Sequence, residues 1–166
     1  MAITNLEDLF VHELKDILDA ERQILKALPK MAKAAESEEL QAAFEEHRSV
    51  TEEQVGRLET IFESMDKAAR GKHCPGIEGI IKEGDELIKE EEPSPALDAA
   101  LICGAQKVEH YEIASYGCLV EYAKLLGMDE AVELLETTLA EEKETDEKLT
   151  SIASELNLVA QQQAAE

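Results

Sequence analysis

Apolar residues recur along this chain at helical three- and four-residue steps, and β-branched runs are absent. Leu6, Phe10, Leu14, Ile17, Ile24, Leu28, Met31 and Ala35 form one such seam and predict a helix over about 5–35. Thr4 followed by Glu7 reads as its capping box. Pro29 lies inside the pattern. It is expected to kink or break the last two turns, because it lacks an N–H and crowds the preceding turn. Leu40, Phe44, Leu58, Ile61 and Met65 predict a second helix over about 38–69, with Ser37 as N-cap. The run ARGKHCPGIEG is the clearest break in the chain. A short helix over about 77–91 follows, with Ile77, Ile80, Ile81, Leu87 and Ile88 on one face. Ser94 and Pro95 supply an N-cap and a first-position proline for a third long helix over about 96–126. Gly127 suits its C-terminal stop and Asp129 the N-cap of a fourth, over about 129–156. The tail, VAQQQAAE, is expected to fray.

The connections between the first and second pair of long helices are short, so each pair should fold back as an antiparallel hairpin. The middle connection is long enough to cross the molecule and carry its own helix. Two hairpins joined by a long crossover are the connectivity of a ferritin-like four-helix bundle, here all-α and a single domain. A gapless shift of 91 positions supports two pseudo-symmetric halves. It lays Glu21 on Glu112, Phe44 on Leu135, Leu58 on Leu149 and Ile61 on Ile152.

Polar residues interrupt each seam near mid-length. Glu21 takes a core place in the first helix, and His47, Thr51 and Gln54 do so in the second. Glu109 and Glu112 interrupt the third, Glu142 and Asp146 the fourth. In an antiparallel bundle these lie at similar height. Buried carboxylates without partners are costly and tend to take up protons. A pair of divalent cations would compensate the charge, and carboxylate with imidazole suits iron or manganese. Each side chain alone also has an ordinary reading. Glu21 could snorkel from the stripe's edge, and His47 could be a hydrogen-bonded core histidine. Glu142 could pair with Lys143 or Lys107, and Asp146 could be a flanking surface acid. The whole set could equally be a structural polar layer without metal.

Composition narrows the partners. Thirty-eight acidic against 16 basic residues give a formal charge of −22. Such a surface repels nucleic acid and anionic lipid and attracts cations. No apolar run approaches the ~20 residues of a membrane span, and the N-terminal residues do not read as a secretory signal. Three cysteines make no disulfide framework. Cys103 and Cys118, roughly 22 Å apart on one helix at ~1.5 Å per residue, cannot bridge. Both read as small core residues. A reducing cytoplasm is the expected compartment. His73-Cys74 is a low-specificity metal candidate. Tyr111, Tyr116 and Tyr122 are expected between helices. The chain has no Gly-rich phosphate loop and no nucleophile elbow.

The segments EDLFVHELKDILDAERQILKALPKMAKA, EEHRSVTEEQVGRLETIF, AQKVEHYEIASYG and LAEEKETDEKLTSIA follow one another across nearly the whole chain. With them the chain resembles the YciE/YciF family of ferritin-like proteins, the YciF branch in particular. The resemblance implies a dimeric four-helix bundle among bacterial stress-associated proteins, akin to rubrerythrin-like di-metal proteins. Such kin reduce peroxide or oxidise ferrous iron. The prototype site takes one Glu from each of two helices and a Glu-x-x-His from each of the others. It implies Glu21, Glu112 and Glu142 as ligands. This chain departs from it, reading Thr51-Glu52-Glu53-Gln54 and Glu142-Lys143-Glu144-Thr145 at the paired motifs. His47, Glu109 and Asp146, each one turn from a motif position, are the candidate replacements. Val50 stands where the resemblance implies a glutamate. The resulting site would be carboxylate-rich and histidine-poor. The competing reading is a non-catalytic dimeric helical stress protein.

Overall fold

The first helix begins where a side chain can reach back to its free amides, the rule for helix starts. In the computed structural model, which describes residues 3–163, that residue is Asn5, whose side chain accepts from Asp8 N at 2.8 Å. Asp8 in turn accepts from the backbone N–H and hydroxyl of Thr4. The expected Thr4–Glu7 box is therefore displaced by one residue, because Asn is at least as good a cap as Thr.

The described residues form α1 (Leu6–Ala34), α2 (Glu38–Ser64), α3 (Pro75–Glu90), α4 (Pro95–Leu125) and α5 (Asp129–Gln163), with no strand among them. Pro29 neither breaks nor ends α1. It sits on the exposed face, where water can satisfy the Leu25 carbonyl that loses its donor. α2 stops five residues earlier than the seam suggested. Asp66 adopts φ +55°, and Lys67 N and Asp66 N close back on Phe62 O and Glu63 O. Asp tolerates this left-handed conformation better than most residues. Gly127, at φ +69°, ends α4 in the same way, with Met128 N on Ala123 O. Asp129 falls in the first turn of α5 instead of capping it. α5 continues past its expected end near 156 to Gln163, through the described part of the tail VAQQQAAE that was expected to fray, since Ala and Gln sustain a helix and no Gly or Pro interrupts it. The last three residues lie outside the described range.

α1 packs most extensively on α2, and α4 on α5. α1 also touches α4, α2 touches α5, and α3 lies against α1 and α4. Side-chain bonds fix the directions. Glu46 meets Lys148, Gln54 meets Glu142 and Arg57 meets Thr138, so α2 and α5 are antiparallel. Asp98 at the start of α4 accepts from Glu36 N and Ser37 N, both at 2.8 Å, and buckles the α1–α2 turn onto it. α3 runs alongside α1, from Lys72 N on Lys15 O to Lys30 on Asp85. It therefore returns the chain to the end where α2 began.

The core holds Phe10, Leu14, Phe44, Leu58, Phe62, Leu101 and Leu119. The repeat partners Phe44/Leu135, Leu58/Leu149, Ile61/Ile152 and Glu21/Glu112 are buried as pairs. Cys103 and Cys118 are exposed, contrary to their reading as core residues. The α4 face that carries Leu101, Ala105, Val108, Glu112 and Tyr116 points elsewhere. Among the described residues no helix is long and apolar enough to cross a membrane.

Candidate metal centre

Glu109 and Glu112 are three residues apart on α4, so they share one face. That face turns inward, and both side chains are buried. α5 adds buried Glu142, α2 adds buried His47, and α1 adds buried Glu21. His47, Glu109, Glu112 and Glu142 each offer a ligand atom, and these atoms all lie within 4.8 Å of one another. Asp146 is not among them. It is half-buried at the edge, accepting from Gln106 Nε2 at 3.2 Å and lying 3.3 Å from His110 Nε2.

The donors around the cluster are few, and Glu21 and Glu142 each accept through one oxygen. Tyr116, buried one turn along α4, donates its hydroxyl to Glu21 Oε1. Gln54 Nε2 donates to Glu142 Oε1 and, at 3.2 Å, to Glu141 Oε2. Arg57 grips Glu141 with both terminal nitrogens, at 2.5 and 2.7 Å. His47 Nε2 is 3.8 Å from Glu109 Oε1. Thr51 bonds its own helix, at His47 O, and offers the cluster nothing. Unless a proton is shared between carboxyls, Glu21 Oε2, Gln54 Oε1, Glu109 Oε2, both oxygens of Glu112, Glu142 Oε2 and His47 Nδ1 have no partner. Nearly all buried polar groups in folded proteins are bonded, so this concentration points to a missing partner.

Electrostatics agrees. Burial, reinforced by the Glu142 charge, pushes the Glu21 carboxyl up to about 8. Burial pushes Glu142 up to about 7. Glu109 and Glu112 are raised well above the usual carboxylate range, first by burial and then by neighbouring carboxylates. Burial drops His47 to about 4, so it is a neutral imidazole near pH 7. A neutral imidazole is the form that ligates. Four carboxylates balance two divalent cations in charge. Hard oxygen donors with one imidazole match iron or manganese.

Reasoning from sequence missed two supporting residues. Arg57 and Glu141 are half-buried beside the cluster and orient Gln54. An arginine three residues after a seam glutamine was the available signal. His73-Cys74 also lies away from the cluster. Cys74 is buried, with Sγ 3.1 Å from both Asp16 Oδ2 and the Tyr111 hydroxyl, and its N–H donates to Asp19. Tyr111 donates to Asp16 at 2.6 Å. A Cβ on Gly76 would come within 2.8 Å of the Tyr111 ring. These contacts clasp the start of α3 to α1 and α4. Burial raises the Cys74 thiol, which leaves it protonated and unreactive.

Residues 5–164 match the family described as a domain of unknown function, DUF892, and the chain belongs to that family. Protein YciF of Escherichia coli K12 is 46% identical over 155 residues, covering 92% of this chain and 93% of YciF. The crystal structure of the E. coli stress protein YciF superposes with TM-score 0.89 at 44% identity, covering 93% and 98% of the two chains. A Xanthomonas campestris protein shares the fold alone, with TM-score 0.72 at 20% identity over 98% and 100% of the chains. The resemblance to the YciE/YciF family read from the sequence is thereby shown.

Proposed function

We propose that this chain is a ferritin-like four-helix protein whose mid-bundle layer holds two divalent cations, iron or manganese, in a peroxide-reducing or ferrous-oxidising centre. The observation that carries the reading is a layer of buried side chains with unpartnered ligand atoms, in which His47, Glu109, Glu112 and Glu142 each bring one ligand atom within 4.8 Å of the others. His47, Glu109, Glu112 and Glu142, with Glu21 beside them, would hold the ions. Bound there, such a metal would supply the electrons that peroxide takes up, or ferrous iron would itself be the reductant.

The chain's own groups prepare the site. Tyr116 and Gln54 each fix one oxygen of a carboxylate and leave the other free, the arrangement that orients metal ligands elsewhere. The Arg57–Glu141 pair holds Gln54 in turn. Complete burial of Glu21, Glu112 and Glu142 excludes bulk water.

The test is elemental analysis after chelator-free purification and anaerobic loading with Fe²⁺ or Mn²⁺. About two ions per chain, as in other bundles with inward carboxylates, support the reading if Glu21→Ala/Glu112→Ala loses them. An unchanged stoichiometry in the double variant rules these ligands out.

A second reading rests on the carboxylate contacts. Glu21 with Glu112, and Glu109 with Glu142, lie close enough for one shared proton to bond each pair. With Thr51 and Gln54 neutral, the layer then needs no metal and acts as structure in a non-catalytic stress protein. It predicts a melting temperature indifferent to Fe²⁺ or Mn²⁺, whereas a ligand of the folded state raises it. In either reading the protein is cytoplasmic and a homodimer, and sedimentation velocity tests the dimer.

A further inference from the structure

Two cavities reach the buried cluster, and both end on the same pair of side chains, His47 and Glu109. These two retain slight exposure, 6% and 2%, while Glu21, Glu112 and Glu142 have none. The first cavity opens between α2 and α5 and measures about 200 Å³. Glu46, Glu141, Glu144 and Lys148 stand around it, with Val50 on its wall. The second, about 40 Å³, lies under α3 between α1 and α4, and Ile24, Ile80, Ile81, Ile88 and Val108 make it apolar.

The two walls select different visitors. A hydrated divalent cation keeps its waters only where there is room and polar surface. One water needs roughly 10–15 Å³ of such space, so the α2–α5 cleft accommodates a hydrated ion and the apolar cavity does not. Stripping those waters against isoleucine would be prohibitive. Besides Glu109, the acid on the wall of the apolar cavity is Asp85, which is held by Lys30 at 3.0 Å. In the cleft, Glu141 is neutralised by Arg57, and Glu46 is bonded to Lys148. Glu144 has no ion-pair partner among the described residues and lies one turn beyond Glu141 at the rim.

We propose that the α2–α5 cleft is the route by which a hydrated divalent cation reaches the cluster, with Glu144 drawing it in, Lys148 latched to Glu46 as the barrier, and His47 and Glu109 as the first ligands it meets. The assignment rests on the metal reading given above. His47 Nδ1 and Glu109 Oε2 are unpartnered and belong to side chains that line this cleft. A charge at the rim acts on the rate of arrival more than on the final occupancy, and salt screens it.

The experiment follows Mn²⁺ uptake after rapid mixing, by loss of the aqueous Mn²⁺ paramagnetic resonance signal, together with the final stoichiometry. Glu144→Lys is at an exposed position and should fold. It is expected to slow uptake about tenfold at low salt, with the difference closing at high salt. Lys148→Met should speed uptake severalfold. Val50→Trp, which fills the cleft, should slow it at every salt concentration while the final stoichiometry holds. Uptake at the unmodified rate in Glu144→Lys and Val50→Trp, with the site filled, overturns the route and leaves the metal site standing. Absence of bound Mn²⁺ in the unmodified protein at equilibrium overturns both, and the stoichiometry separates the two failures.

Discussion

The α1–α2 and α4–α5 hairpins are related by the 91-residue repeat, yet they furnish the buried layer unequally. Glu21 and Glu112 occupy equivalent places, and both are fully buried. Beyond that pair the halves diverge. Where α5 brings Glu142, α2 brings Thr51, whose hydroxyl is satisfied within its own helix. Glu109 adds a further carboxylate to the second half, whereas among the described residues the first half adds His47 to the cluster. Even the shared glutamates differ: Glu21 accepts from Tyr116, while no hydroxyl, amide or N–H donor reaches Glu112. A symmetric scaffold thus carries a lopsided donor set, and the α4–α5 half should dominate binding.

The largest effect should come from Glu112. Glu112→Ala is expected to remove both ions, whereas Glu21→Ala should leave one. Elemental analysis of the two variants checks this, and equal losses would mean that the halves still contribute alike. In the metal-free protein, Glu112→Leu should raise stability by roughly 1–3 kcal/mol in urea unfolding, because a buried acceptor without a donor is removed. A drop of that size would favour a satisfied structural layer.

Titration gives the next effect. The folded state holds Glu21 and Glu142 protonated up to about 8 and about 7, above the usual carboxylate range. The stability tied to these protons is complete below the unfolded value near 4.5 and is lost as pH rises through 7–8. His47 acts oppositely. Its folded value, about 4, is below the ordinary 6.5, so its contribution is complete above 6.5 and lost as pH falls toward 4. The carboxylates outnumber the single histidine. The melting temperature of the metal-free protein should therefore fall from pH 5 to pH 8, and the gain on adding Mn²⁺ should grow over the same interval. A flat thermal profile in both states would contradict the buried, proton-holding layer.

Thr51→Glu tests the asymmetry directly by restoring a carboxylate opposite Glu142. It should destabilise the metal-free protein by about 2 kcal/mol, as an unpaired buried acid does, and most of that loss should return with Mn²⁺. Tyr116→Phe removes the hydroxyl that fixes Glu21, and metal affinity measured by competition should fall about tenfold. The smallest change is expected at Asp146→Asn. Outside the cluster, hydrogen-bonded to Gln106 and 3.3 Å from His110 Nε2, it should shift stability by no more than about 0.5 kcal/mol and leave the stoichiometry intact.

Much of this was legible in the chain. The 3–4 periodicity placed all five helices, because burying an apolar stripe is what keeps a long helix in place. The same rule exposed Glu21, His47, Glu109, Glu112 and Glu142 as acids and an imidazole on inward positions. Helix ends were less legible, since local geometry decides them: Asp66 took a left-handed turn that the seam did not announce. Cys103 and Cys118 were misplaced because a small residue between two stripes carries little positional signal.

The sequence by itself determined the helices, their pairing into two hairpins, and which faces carry charge into the interior, because periodicity along one chain is a local property. Only the tertiary structure decided which of those groups meet. Asp146 and Glu142 are one turn apart on α5, yet one faces Gln106 and His110 while the other enters the cluster. That separation depends on the rotation of α5 against α2 and α4, which is set by packing between helices and written in no single stretch of sequence.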